Sequence, residues 1–195
     1  MRRPRRITVI AATCAVAAAA TTTANAGGSL PVSHASNTRA QAFPNADSCH
    51  ASGKGLYVLP DRRCTPGALN PAVTQATIHR TICVSGWTST VRPPESVTEQ
   101  EKRKAIRAYG NYRGSRLTPY ELDHQIPLEL GGATNDARNL WPEPNYSGAG
   151  HGYYLNPKDH VEDRLKTLVC DGKLRLATAQ RLIADNWVAA YPKYH

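Results

Sequence analysis

The rhythm of apolar and polar positions changes along this chain, and each change predicts an element. Ile7 to Ala20 is an unbroken apolar, Ala-rich run behind Arg2, Arg3, Arg5 and Arg6. Residues 27–48 are rich in Ser, Ala, Asn and Gly with little periodicity, which predicts a loosely attached arm. Residues 49–95 are irregular and punctuated by Thr65-Pro66-Gly67 and Arg92-Pro93-Pro94, with one short helix expected around Pro71–Ile78. Thr98, with Glu101 three residues on, predicts a capping box opening a helix that closes at Tyr109–Gly110. From Tyr120 to Leu128 the period shortens to two: Leu122, Ile126 and Leu128 share a face, which predicts a strand. Gly131–Gly132 predicts a turn, and a short second strand follows over Asn139–Trp141, stopping at Pro142. Asn156-Pro157 predicts a cap and first turn of a helix running to Val169 or Cys170, with Val161, Leu165 and Leu168 as its stripe. A last helix, Ala177–Tyr191, buries Leu182, Ile183 and Trp187.

The basic start, the apolar run and Ala24-Asn25-Ala26 have the form of a secretory signal peptide over residues 1–26, cut before Gly27. No later stretch approaches the roughly 20 apolar residues of a membrane span, so no membrane association is expected after cleavage. The remaining 169 residues suffice for one domain with its own core. Losing the four leading arginines lowers the formal charge from +9 to +5, a balance that suits a polyanionic partner without demanding one. Cys49, Cys64, Cys83 and Cys170 remain, with no CxxC pair to hold zinc. In an oxidising compartment they predict two disulfides, and of the three connectivities Cys49–Cys64 and Cys83–Cys170 are preferred.

Chemistry concentrates in residues 121–144, ELDHQIPLELGGATNDARNLWPEP. Asp123 and His124 stand side by side on the first strand, and Asn139 lies across the turn. A carboxylate can hold a cation, an imidazole can deprotonate water near neutral pH, and a carboxamide can orient the imidazole. Strict alternation sends Asp123 and His124 to opposite faces, so a local bend, prepared by Pro127, is expected to bring them together.

This window, with the helix at Asn156-Pro157-Lys158-Asp159-His160-Val161-Glu162 after it, resembles the HNH, or ββα-metal, endonucleases. The likeness is most specific over residues 118–170. Beyond them, the segment around Cys83, Arg92-Pro93-Pro94 and the Ala179-to-Trp187 helix resemble a secreted bacterial subgroup. The resemblance implies an α+β fold: a ββα-metal core, short hairpin plus helix, embedded in a mostly helical, disulfide-tied single domain. Residues 49–117 form its Cys-containing N-terminal part with one basic helix, and residues 118–195 the HNH-like core and C-terminal helix. It implies His124 as general base and Asn139 as the group orienting it or as a ligand. One divalent metal would be held by Asp123 and by Asp159 or His160. Asp159 is narrowly preferred, since hard cations favour oxygen. Mg²⁺ or Mn²⁺ is expected, and His124, His151 and His160 together also admit Zn²⁺ or Ni²⁺. Lys158 and Arg164 are candidate contacts to a neighbouring phosphate.

The expected protein is a secreted, monomeric endonuclease that hydrolyses phosphodiester bonds, with DNA favoured over RNA as substrate. The alternative is a secreted protein of HNH-like fold without catalysis, binding nucleic acid or envelope polyanions.

Overall fold

The computed structural model describes residues 40–145 and 156–195. The expected signal peptide, most of the expected arm, and the Ser147–Gly152 segment with His151 lie outside them. The fold is α+β. A small antiparallel hairpin comes first, β1 (Ser52–Lys54) and β2 (Tyr57–Leu59). Two helices follow, α1 (Trp87–Val91) and α2 (Glu95–Ala108). A second antiparallel hairpin pairs β3 (Tyr120–His124) with β4 (Leu140–Pro144), and the chain ends in α3 (Pro157–Cys170) and α4 (Leu176–Tyr194). Among the described residues no helix is long and apolar enough to cross a membrane.

The two long C-terminal helices carry the main core. Val161, Leu165 and Val169 of α3 meet Ile183, Ala184 and Trp187 of α4 over Ile126 and Leu130. Val169 is buried where Leu168 was expected in the stripe, a shift of one position that the helical period tolerates. Pro157 occupies the first turn of α3, and Gly172, at φ +71°, follows its C-cap and turns the chain away. The α4 backbone breaks at Asn186 (φ −169°, ψ 87°). Gln125, just beyond β3, donates from Nε2 to the Ala184 carbonyl at 2.9 Å and to that of Ile183 at 3.3 Å, so carbonyls beside the kink keep partners.

Several boundaries differ from the sequence reading. α2 begins at Glu95 behind Pro94, and Thr98 lies inside it, donating to the Glu95 carbonyl. Prolines 93 and 94 lack donors and fix φ, so they end the preceding chain more firmly than a threonine starts the next. No helix forms over 71–77; only the turn Ile78–Arg80 is helical, of the 3-10 type. The first strand ends at His124, and Leu128–Leu130 is a 3-10 turn rather than strand. The second continues through Pro142 to Pro144. In a two-stranded ladder each strand is an edge, where a residue without N–H is tolerated.

Both disulfides join the preferred pairs, Cys49–Cys64 and Cys83–Cys170, closing loops of 15 and 87 residues. The first ties the segment before β1 to the turn after β2; the second ties the chain ahead of α1 to the end of α3. The chain-entropy argument assigns about 3 kcal/mol to a loop as short as the first and about 4.5 kcal/mol to one as long as the second. We therefore expect the paired change Cys83→Ala/Cys170→Ala to lower the denaturation midpoint further than Cys49→Ala/Cys64→Ala. Equal or inverted losses in urea titrations would show that native-state contacts, not loop closure, set the difference.

Candidate active site

The register of the hairpin builds the site. Tyr120 pairs with Pro144, Glu121 with Glu143, Leu122 with Pro142, Asp123 with Trp141 and His124 with Leu140. Residues directly opposite share a face. Glu121, Asp123, Trp141 and Glu143 therefore line one side, and Leu122, His124, Leu140 and Pro142 the other. The ladder stays regular through His124, so no bend brings the Asp123 and His124 side chains together.

Asp123 points to α3. Its Oδ2 lies 2.7 Å from Lys158 Nζ and accepts from Trp141 Nε1 at 2.9 Å. Lys158, a candidate phosphate contact by sequence, has no exposed surface. It donates to the His124 carbonyl at 2.9 Å and to Glu162, so its three N–H groups meet three oxygens inside the protein. Burial works against its charge, but Asp123, Glu162 and Glu143 outweigh it and hold the ammonium protonated well above the usual lysine range. The helix explains the placement: Lys158 falls three residues before Val161 and seven before Leu165, on the stripe that packs inward. Asn156 occupies the N-cap, yet its side chain donates to Glu121 and accepts from no helix N–H.

Carboxyls crowd this face. Glu143 is 1% exposed and neither of its oxygens has a hydrogen-bond partner among the described residues. Burial, then the neighbouring Asp123, pushes it well above the usual carboxylate range. Glu121 is raised by burial and by Asp123. Burial, then Glu121 and Asp123, raises Asp159 to about 7. His160 and Arg164 are exposed on α3, whereas the Asp123 carboxylate is held by Lys158 and Trp141.

The fit of a divalent ion is decided by these contacts. Among the described residues no three His, Cys, Asp or Glu side chains converge as a metal site. The Asp123 oxygen best placed for a cation already holds an ammonium at 2.7 Å. At an effective dielectric near 20, two unit charges 4 Å apart interact by about 4 kcal/mol, and a divalent ion beside Lys158 would meet roughly twice that in repulsion. As arranged, Asp123, Asp159 and His160 do not fit Mg²⁺ or Mn²⁺.

The imidazole of His124 turns the other way, toward a cleft of about 460 Å³ lined by Arg92, Lys102, His124 and Thr134 together with Glu95, Glu99, Glu101 and Glu121. His124 Nε2 lies 3.0 Å from the Thr134 carbonyl. A carbonyl only accepts, so in the neutral ring Nε2 carries the hydrogen and Nδ1 the lone pair. Burial lowers the His124 pKa to about 4, with Asp123 opposing, which keeps the ring neutral at physiological pH. Of the basic run on α2, Lys102 lines the cleft and Arg103 pairs with Glu99 at 2.8 Å.

Asn139 does not reach the imidazole. It is fully buried in the turn between the strands. Its Oδ1 accepts from Ile126 N at 2.9 Å and Ala68 N at 3.4 Å, and its Nδ2 donates to the carbonyls of Ile126 at 2.9 Å and Ala133 at 3.0 Å. Gly132 permits this closure. A Cβ there would stand 1.8 Å from the Ile126 carbonyl oxygen and 2.7 Å from Asn139 Nδ2. The asparagine thus holds the turn that carries Thr134, and Thr134 in turn holds the imidazole.

Sequence reasoning missed Glu121, Glu143, Thr134 and Arg92 as members of the site. Glu121 had a readable signal, two residues before Asp123 on the same strand face. Glu143 needed the register, and Arg92 and Thr134 needed the packing of distant segments. No family model, curated protein or solved structure matches this chain.

Proposed function

We propose that this protein is a secreted phosphodiester hydrolase acting on nucleic acid, with His124 as its general base. One observation carries the reading: a neutral imidazole, fixed through Nε2 by a backbone carbonyl, stands in the wall of a cleft flanked by Arg92 and Lys102. The strand–turn–strand order with α3 behind it is the arrangement expected of an HNH-like ββα core. In the reaction, Nδ1 of His124 takes a proton from water as the water oxygen attacks phosphorus; the P–O3′ bond breaks and the leaving 3′ oxygen takes a proton from solvent, giving a 3′-hydroxyl and a 5′-phosphate. Arg92 and Lys102 supply positive charge where the phosphate gains negative charge. Both disulfides suit an oxidising compartment, and a secreted chain meets nucleic acid there.

The test is digestion of plasmid DNA and of RNA by the purified mature protein, with and without EDTA, beside His124→Ala. Cleavage by the wild type and loss in the variant are expected. Retarded migration of either nucleic acid without cleavage would replace the hydrolase by a polyanion-binding protein.

Two pH effects follow from the buried imidazole. A base that stays neutral down to about pH 4 should keep kcat/KM level from pH 7 to pH 5, because that parameter reports the free enzyme. An acid limb centred near 6.5 would show an ordinary exposed histidine. Stability gives the second effect. The folded pKa lies below the unfolded value, so the stabilisation is complete above pH 6.5 and is lost as pH falls toward 4. Over that window the shift corresponds to about 3 kcal/mol. His124→Gln should flatten this decline in denaturation midpoints measured at pH 7 and pH 4.5; an unchanged slope would assign the acid lability to other groups.

A further inference from the structure

We infer that the Lys158 ammonium takes the place of a catalytic divalent ion at the junction of β3 and α3, and that the hydrolysis proposed above proceeds with no metal bound to Asp123. The catalytic half of this inference rests on that functional reading; the cation's place does not.

The geometry is that of a cation in an oxygen cage. Nζ lies 2.7 Å from Asp123 Oδ2 and 2.9 Å from the His124 carbonyl oxygen, with Glu162 as the third acceptor. These oxygens come from the strand and the helix, so one positive charge joins both elements beside His124. A bound metal would do the same structural work, drawing a strand carboxylate and a helix residue together. Lys158 has no exposed surface. It therefore touches no substrate, and acts by positioning Asp123 and the backbone that presents the imidazole. A second observation comes from Glu143, buried on the same face with neither oxygen partnered among the described residues. Asp123, Glu162 and the His124 carbonyl form an oxygen-rich surround that one ammonium occupies, and Glu143 lies near enough to favour its charge. Removing the ammonium side chain would leave those hard donors facing a space of its size, a setting that favours a hard cation. The ammonium and a metal are thus alternatives for one position.

Mn²⁺ binding to the full mature protein, read by loss of the free-ion electron paramagnetic resonance signal without substrate, tests the cation's place. The wild type is expected to show no Mn²⁺ site that depends on Asp123. Lys158→Ala is expected to gain one, with affinity at least roughly tenfold above any wild-type binding, and Lys158→Ala/Asp123→Asn to lose it. Breaking a buried ion pair destabilises, so Lys158→Ala is also melted with Mn²⁺ and with KCl at equal ionic strength. A rise in Tm with Mn²⁺ alone supports the inference, since a ligand of the folded state stabilises it. A wild-type Mn²⁺ site abolished by Asp123→Asn overturns it. So does a Lys158→Ala protein that neither binds Mn²⁺ nor is stabilised by it. Cleavage decides the catalytic half: persistence in EDTA supports it, and loss in EDTA with restoration by Mg²⁺ overturns it. A wild type that cleaves nothing sinks the hydrolase reading, while the Mn²⁺ comparison still decides where the cation stands.

Discussion

Replacing His124 with alanine is expected to lower nucleic-acid cleavage by about 10²–10⁴, the usual loss when a positioned proton acceptor is removed. The fold should survive. Among the described residues the ring's hydrogen bond runs to the Thr134 carbonyl, at the cleft. The strand's own ties are made by backbone: the His124 carbonyl meets Lys158, and the ladder pairs His124 with Leu140. A variant with wild-type circular dichroism, near-wild-type Tm and lost cleavage is the expected outcome. Wild-type rates in a purified, folded variant would remove His124 from the chemistry. His124→Gln sharpens the comparison: it keeps a donor for the Thr134 carbonyl while lacking a base of comparable strength.

Asn139 should behave in the opposite manner. Asn139→Ala is expected to destabilise the fold by about 4 kcal/mol, because it strips partners from buried backbone groups of Ile126, Ala133 and Ala68, each worth about 1–3 kcal/mol when left unsatisfied. Asn139→Asp should lose nearly as much, since a carboxylate accepts but gives nothing to the carbonyls of Ile126 and Ala133. Any fall in activity should follow the unfolded fraction and recover on cooling or with stabilising osmolyte. The decisive measurement is the denaturation midpoint beside kcat well below Tm. A fully stable but inactive Asn139→Ala protein would return the asparagine to a direct role at the imidazole.

The contrast between these residues shows where sequence reading ends. Asp123, His124 and Asn139 were all legible as a group, because strand period, Gly-Gly turn and NLWP spacing are local signals. Their division of labour was not. A one-residue step along β3 separates a buried ion pair from a cleft-facing imidazole, and the regular register keeps them apart. The sequence places Asn139 one turn from His124, which predicts an imidazole-orienting group or a ligand. The fold closes that turn so tightly around Gly132 that the backbone claims both ends of the carboxamide.

Local chemistry in the sequence determined the extent of α3, through Pro157 at its start and Gly172 beyond its end. It also determined the apolar helices of the core, and it offered the short Cys49–Cys64 loop, whereas Cys83 and Cys170, 87 residues apart, are brought together by the fold. Propensity and spacing act over a few residues, so these features are written where they occur. The tertiary structure alone decided the fate of charge. Lys158 reads as a solvated helix lysine until Val161, Leu165 and Val169 turn its face inward. It is then buried between Asp123, from the hairpin, and Glu162, one turn along its own helix. Electrostatic partners are chosen by distance in space and by exclusion of water. Neither is defined until the hairpin and α3 have packed.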